Sequence, residues 1–232
     1  MMDPRVWFLL TVVASAHGEL KNPVENLYLS NGLDRGDWGP TDLCIQNSWA
    51  STFEVKYSKE GHIDNTGVNA VRLYCQDKDG ALTGTVTSGE GSYGEWEGIR
   101  ACKSGQYMVG MRADVMPYQG TFGDDEGIVN LEMRCSDGTV LNGRFTSEEA
   151  KAQERSENNL EVAREKVVID GHEMEAVHVK ATIQSDKSGA YGLWASCTGT
   201  NRICGIQTQV EAETTFTDDA GMCDLIMFCC AV

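Results

Sequence analysis

Apolar and polar residues alternate in several short segments of this chain, with the period of two that is typical of β-strands with one buried face. Three of these segments are residues 53–57, 108–115 and 206–211. Residues 71–74 and 131–134 alternate in the same way, and the Asp-Gly pairs at 79–80 and 137–138 predict tight hairpin turns. The pattern predicts small antiparallel sheets of about four strands each.

A set of sequence markers recurs three times in the same order, which indicates an internal repeat. Each copy has a Gly-x-Trp, an opening cysteine, an acidic pair or its near equivalent, and a closing cysteine. The Gly-x-Trp segments are 36–38, 94–96 and 192–194, and the acidic pairs are Asp64-Asn65, Asp124-Asp125 and Asp218-Asp219. Opening and closing cysteines lie 31, 33 and 32 residues apart, and each acidic pair begins eleven residues before the closing cysteine.

The repeat predicts an all-β fold in which three sheets turn their apolar faces toward a shared axis, because one such sheet cannot bury its apolar face alone. We expect Trp38, Trp96 and Trp194 to fill the shared core. The alternative is that these tryptophans are platforms on which sugar rings stack.

Several motifs resemble the vitelline membrane outer layer protein 1 family. They are GDWG at 36–39, NAVRLYC at 69–75, YGEW at 93–96, ICGIQTQVE at 203–211 and the FCC at 228–230, and the match covers about residues 27–230 apart from one insertion. The resemblance implies a β-prism of three Greek-key sheets about a pseudo-threefold axis. It also implies a secreted protein of egg coats, mucosal fluids or similar secretions. An oligosaccharide-synthesising transferase activity has been attributed to the family, without agreed catalytic residues.

Residues 1–16 have the pattern of a secretory signal peptide, with Arg5, an apolar run over 6–13 and the small residues of 14–16. The run is far shorter than the roughly 20 residues that span a bilayer. We therefore expect an extracellular mature chain, residues 17–232, that forms a single domain without membrane insertion. The formal net charge of −16 argues against contacts with nucleic-acid phosphates and leaves extracellular glycans or coat proteins as the expected partners.

The nine cysteines predict a disulfide framework in an oxidising compartment. The repeat pairs each opening cysteine with its closing cysteine, and two of the remaining cysteines then form a fourth bond. Neighbouring residues 229 and 230 face opposite sides of a strand and can serve different partners. The expected bonds are Cys44–Cys75, Cys102–Cys135, Cys197–Cys229 and Cys204–Cys230. Cys223 is left over, as a thiol or, alternatively, in a disulfide to another chain.

An insertion of about residues 145–177 interrupts the third repeat. Residues 146–149 resemble a capping box, and helix-forming residues continue to about Lys166. We expect a helix there, followed by a hairpin around Asp170-Gly171. The insertion is interpreted as a solvated excursion from a surface loop, with a partner-binding site as the alternative.

The acidic pairs are the strongest candidates for chemistry. Carboxylates from different repeats could converge near the axis and bind sugar, which gives Asp64, Asp124, Asp125, Asp218 and Asp219 as candidate sugar-binding residues. The alternative is that they are turn residues that accept backbone N–H bonds. No catalytic set, metal site or cofactor motif is predicted. His172-Glu173 lacks the second histidine of H-E-x-x-H, and with every cysteine but one paired no Cys/His zinc cluster remains.

Two function classes follow. The favoured one is a secreted, disulfide-stabilised structural or carbohydrate-binding protein that is not an enzyme. The other is a glycosyltransferase-like or lysozyme-like enzyme acting on N-acetylglucosamine oligosaccharides, which would need two carboxyl groups roughly 5 to 9.5 Å apart across the scissile bond.

Overall fold

The computed structural model describes residues 20–58, 66–117, 126–144, 162–169, 172–179, 190–212 and 220–232. These residues form strands and connecting segments, and no helix occurs among them. Consequently the described ranges contain no helix that could cross a membrane. The strands are β1 (Glu25–Tyr28), β2 (Asp37–Trp38), β3 (Asp42–Leu43), β4 (Ser48–Tyr57), β5 (Val68–Asp77), β6 (Leu82–Thr87), β7 (Glu95–Trp96), β8 (Arg100–Ala101), β9 (Met108–Val115), β10 (Ile128–Cys135), β11 (Val140–Asn142), β12 (Val162–Ile169), β13 (His172–Val179), β14 (Ala190–Tyr191), β15 (Ala195–Ser196), β16 (Arg202–Val210) and β17 (Met222–Cys230).

Three antiparallel sheets share one topology, in which a long central hairpin is flanked by an outer strand and by a strand split in two. Sheet I has the order β6-β5-β4-β7/β8, sheet II β11-β10-β9-β14/β15 and sheet III β1-β17-β16-β2/β3. In sheets I and II, three consecutive strands are followed by a fourth that returns beside the first, which is the Greek-key order. Sheet III is the same arrangement completed by the N-terminal strands. The predicted β-prism of three Greek-key sheets is therefore confirmed.

The sheets are offset from the sequence repeat by one segment. The first Gly-x-Trp and Cys44 pair with β16 of sheet III, whereas Cys75, which closes the same repeat, lies in β5 of sheet I. The second and third repeats are divided in the same way between sheets I and II and between sheets II and III. Each repeat thus contributes to two neighbouring sheets and ties them together.

The apolar faces of the three sheets meet in one core around the axis. Each central hairpin contributes fully buried side chains from both of its strands: Phe53 and Leu73, Met111 and Met133, Ile206 and Met227. The expectation that the three Gly-x-Trp tryptophans fill this core is wrong. Trp38 is 41% exposed, and Trp96 and Trp194 are partly exposed on the outer faces of their sheets. The inward positions are filled instead by the alternating aliphatic residues of the long strands.

The predicted helix in the insertion is also wrong where the structure describes it. Residues 162–166 belong to β12, which pairs with β13 in a two-stranded hairpin from Val162↔Val179 to Ile169↔His172. Residues 146–161, the start of the expected helix, lie outside the described residues. The β-branched run Val167-Val168-Ile169 and the pairing with β13 decide the local structure, since β-branched residues favour strands. β12 and β13 form the antiparallel pair of the expected hairpin, and the turn residues 170 and 171 lie outside the described residues.

Removal of the insertion should leave the prism folded. In sheet I, residues 88–94 alone connect the outer strand β6 to the split strand β7/β8. A copy of this segment should therefore be able to replace residues 145–189, which comprise the insertion and the segment between it and β14 of sheet II. Since β13 lies against β8 and β11, we expect a moderate loss of stability but one cooperative thermal transition by circular dichroism. Loss of cooperative unfolding would show that the hairpin is integral to the core.

Candidate functional site

One end of the prism axis is built from three glycines. Each glycine follows one of the three chain segments that carry an acidic pair, which we call the acidic segments. Gly67, Gly127 and Gly221 have φ values of 59°, 62° and 57°, which lie in the left-handed region that favours glycine. A Cβ on Gly67 would lie 2.7 Å from the carbonyl oxygens of Glu126 and Ile128 in the neighbouring sheet. We call these three residues the axial glycines.

The contacts of the axial glycines close a ring. Sheet I packs its axial glycine against sheet II in the contact just described. Gly127 of sheet II packs against the backbone of Ala220 and Met222 in sheet III, and Gly221 of sheet III packs against the backbone of Thr66 and Val68 in sheet I. The backbones of the three hairpins therefore approach as closely as glycine permits at this end of the axis.

The same backbone hydrogen bond occurs at the loop end of each central hairpin, where the two strands meet the segment that connects them. Ser58 N–H donates to Gly67 O at 2.9 Å, Met116 N–H to Gly127 O at 2.8 Å and Glu211 N–H to Gly221 O at 2.9 Å. Each acidic segment connects the donor residue of one of these hydrogen bonds to its acceptor glycine. The predicted sugar-binding residues Asp64, Asp124, Asp125, Asp218 and Asp219 themselves lie outside the described residues, but the described ends of all three segments meet at one end of the prism. Glu126, directly after the second pair, is buried at the ring.

On the outer face of sheet I, Arg72 is held between a carboxylate and an aromatic ring. Its guanidinium carbon lies 4.0 Å from the centre of the Trp96 ring, and its Nη1 donates to Glu54 Oε1 at 2.8 Å. Tyr74 O–H donates to the same oxygen at 2.6 Å. Burial, and secondly this hydrogen bond to Glu54, raise the pKa of Tyr74 to about 12. The tyrosine therefore stays protonated as a donor at physiological pH.

Sheet II repeats the guanidinium–tryptophan contact with different residues. Arg134 lies 3.9 Å from the centre of the Trp194 ring, and Arg112 forms a 2.7 Å ion pair with the fully buried Glu132. Trp38 on sheet III has no arginine contact among those found in the described residues and is the most exposed of the three tryptophans. In the sequence, Arg72 and Arg134 occupy the polar positions of the alternating segments 71–74 and 131–134. These positions predict side chains on the outer face of a sheet, where the tryptophans lie.

A groove of about 750 Å³ lies on the outer face of sheet I, along β5 and β6. Its lining residues are Arg72, Tyr74, Leu82, Thr83, Gly84, Thr85 and Thr87. Sequence analysis did not identify this groove, although threonines at alternate positions 83, 85 and 87 place hydroxyl groups on one face of a strand.

The structure contains four disulfides, which are Cys44–Cys75, Cys102–Cys135, Cys197–Cys229 and Cys204–Cys230. The first three join sheet III to I, sheet I to II and sheet II to III. Within the described residues, one group has the spacing of metal ligands: Glu25 with Cys197 and Cys229. Its two sulfurs are bonded to each other, so they offer no thiolates to a metal ion.

Cys223 belongs to none of the four disulfides and is fully buried in β17. We expect no reaction of native protein with a thiol reagent such as Ellman's reagent, because the reagent needs an exposed thiolate. Unfolding in guanidinium without reductant should release one reactive thiol per chain. Rapid labelling of the native protein, or a dimer that dissociates on reduction, would contradict this expectation.

Three Greek-key sheets around one axis, joined in a ring by disulfides, define a disulfide-stabilised β-prism protein. A family model described as vitelline membrane outer layer protein I matches residues 25–168 and 151–232. The chain therefore belongs to the vitelline membrane outer layer protein I family.

Two relatives carry the name of the same family. The chain is 29% identical to the mouse protein named vitelline membrane outer layer protein 1 homolog over 237 residues, which cover 98% of this chain and 96% of the relative. The human protein of the same name is 27% identical over 207 residues, covering 87% and 81%. Among solved structures, frutapin, a lectin from Artocarpus incisa, aligns with a TM-score of 0.47 and 8% identity over 92% of this chain and 99% of frutapin.

Proposed function

We propose that this protein is secreted and binds glycans of an extracellular coat or secretion at the axial end of the prism. Three features support secretion: the signal-like residues 1–16, the four disulfides, and relatives named for the outer layer of the vitelline membrane. The observation that carries glycan binding is the ring of axial glycines, because it brings the described ends of all three acidic segments to one place.

Carboxylates suit this role because ionised acids accept hydrogen bonds from sugar hydroxyl groups, and such charge-assisted bonds are roughly twice as strong as neutral ones. The second segment contributes most in this proposal. It holds Asp124 and Asp125 and is followed by a third acid, Glu126, at the ring, whereas the first segment has only Asp64 beside Asn65. Asp218 and Asp219 supply the third segment.

Replacing both acids of the second pair by asparagine should weaken glycan binding about tenfold, which corresponds to about 1.4 kcal/mol. Asparagine keeps the shape and most turn hydrogen bonds of aspartate, so this change separates recognition from folding. Calorimetric titration with N-acetylglucosamine oligosaccharides measures the effect of Asp124→Asn/Asp125→Asn. The single variant Asp64→Asn and the double variant Asp218→Asn/Asp219→Asn measure how much the first and third segments contribute to affinity.

A matched control removes the same charge at the opposite end of the prism. Asp79 and Asp137 lie in the turns after β5 and β10, away from the axial glycines. Asp79→Asn/Asp137→Asn should leave affinity unchanged. Equal affinity of the wild type, the control and all three acidic-pair variants would remove the acids from glycan recognition and leave them as turn residues.

A further inference from the structure

The groove on sheet I departs from the threefold repeat of the fold. Its rim pairs are Tyr74↔Thr85 and Arg72↔Thr87. We match positions in the three sheets by their distance from the closing cysteine. The equivalent pairs in sheet II are Arg134↔Val140 and Glu132↔Asn142. In sheet III they are Phe228↔Asn26 and Ile226↔Tyr28. A row of hydroxyl groups opposite an aromatic ring and a guanidinium thus occurs in sheet I and not at the equivalent rows of the other two. Since all three sheets fold with the same topology, the topology does not require these residues.

The groove has the volume of a small-molecule site and a mainly polar lining. Its volume of about 750 Å³ lies within the roughly 300–1,000 Å³ typical of small-molecule sites. Tyr74 is buried beneath the groove, Leu82 is half-buried and gives it an apolar wall, and Thr85 is exposed. No atom lies within 4 Å of the position that a Cβ on Gly84 would take, so a ligand can approach the backbone of β6 there.

The charges of the groove favour a neutral ligand. Arg72 supplies N–H donors, but Glu54 pairs with it at 2.8 Å and balances its charge. Stacking on Trp96 further restrains the guanidinium, so its donors are presented in a fixed orientation. The whole chain carries a net charge of −16, which repels anions at long range. Hydroxyl groups, a fixed donor and the apolar side chain of Leu82 together match a pyranose, which has hydroxyl edges and an apolar face.

We propose that this groove is a second glycan-binding site, which takes a neutral pyranose and is separate from the axial acids. The proposal rests on the proposed glycan-binding function and adds a second place of contact. It also predicts that one chain can hold two glycan ends or two residues of a branched glycan, because the outer face of a sheet and the end of the axis are distinct surfaces.

The test is an NMR titration of the full mature chain with N-acetylchitotriose, which is neutral, and with sialyllactose, which is acidic. With the neutral sugar, the backbone amides of residues 83–87 should shift as one saturable set, and those near Gly127 and Gly221 as another. Thr85→Trp fills the groove while keeping a residue that favours strands, and it should weaken the first set at least tenfold and leave the second unchanged.

Two further variants make the result decisive. Asn26→Trp, at the equivalent exposed position of sheet III opposite Phe228, should alter neither set. If Thr85→Trp does not fold, Thr85→Ala/Thr87→Ala should weaken the first set at least fivefold. No shifts at residues 83–87 in the wild type, no effect of the groove variants, or shifts there with sialyllactose alone would overturn the proposal. Failure of the axial site would appear separately, as absence of the second set.

Discussion

Alanine at any one of the three axial glycines should destabilise the protein by at least about 3 kcal/mol. A left-handed conformation costs a non-glycine residue roughly 1–2 kcal/mol. The new Cβ would also press on backbone carbonyls of the neighbouring sheet, which belong to paired strands and cannot move like the end of a flexible side chain. Chemical denaturation of Gly67→Ala, Gly127→Ala and Gly221→Ala measures the loss.

Gly199 provides the matched control for this prediction. Its φ of 60° is close to those of the axial glycines, but no atom lies within 4 Å of its would-be Cβ. Gly199→Ala should therefore show the conformational cost alone, about 1–2 kcal/mol. Similar losses for Gly199→Ala and the axial variants would mean that the close approach of the three hairpins contributes nothing to stability.

Loss of one inter-sheet disulfide should lower the free energy of unfolding by about 3–4 kcal/mol. The three loops of 31, 33 and 32 residues correspond to about 3.7 kcal/mol each in the chain-entropy model. For a domain of this size, such a change lowers Tm by roughly 7–15 °C. Thermal unfolding of Cys102→Ala/Cys135→Ala, followed by circular dichroism, gives the value.

The bond between Cys204 and Cys230 tests whether loop length alone explains these effects. It closes a loop of 26 residues, but both cysteines lie in sheet III, where β16 and β17 already pair. The entropic model gives nearly the same loss, about 3.5 kcal/mol. A much larger loss for the inter-sheet bonds would show that they also hold the sheets together in the native state. No change in Tm for any pair would contradict their stabilising role.

The sequence predicted those parts of the fold that leave a periodic pattern in the chain, namely the long strands and the threefold repeat. Alternation identified the long strands, and the repeat predicted three sheets around one axis. The positions of the tryptophans could not be obtained in this way, because a single large residue has no period. Trp96 and Trp194 lie against Arg72 and Arg134, which offer these two rings a cationic partner on the outer faces. The offset between repeat and sheet was hidden as well, since it depends on which strands pair over long range.

Local composition also misled in the insertion. Charged, helix-forming residues up to Lys166 suggested a helix, but pairing with β13 places residues 162–166 in a strand. The secondary structure there is determined by pairing with a partner strand. A helix propensity considers one segment by itself and therefore does not include this pairing. The groove was missed for a related reason, because the threonines of β6 gain significance only beside Arg72 and Tyr74 of the neighbouring strand.

Glycan-array binding of purified protein comprising residues 17–232 tests the central claim most directly. Retention of neutral, N-acetylglucosamine-containing glycans, together with loss of that retention in a variant that combines Asp124→Asn, Asp125→Asn and Thr85→Trp, is the predicted result. Folded, fully disulfide-bonded protein that retains no glycan above background would contradict the account.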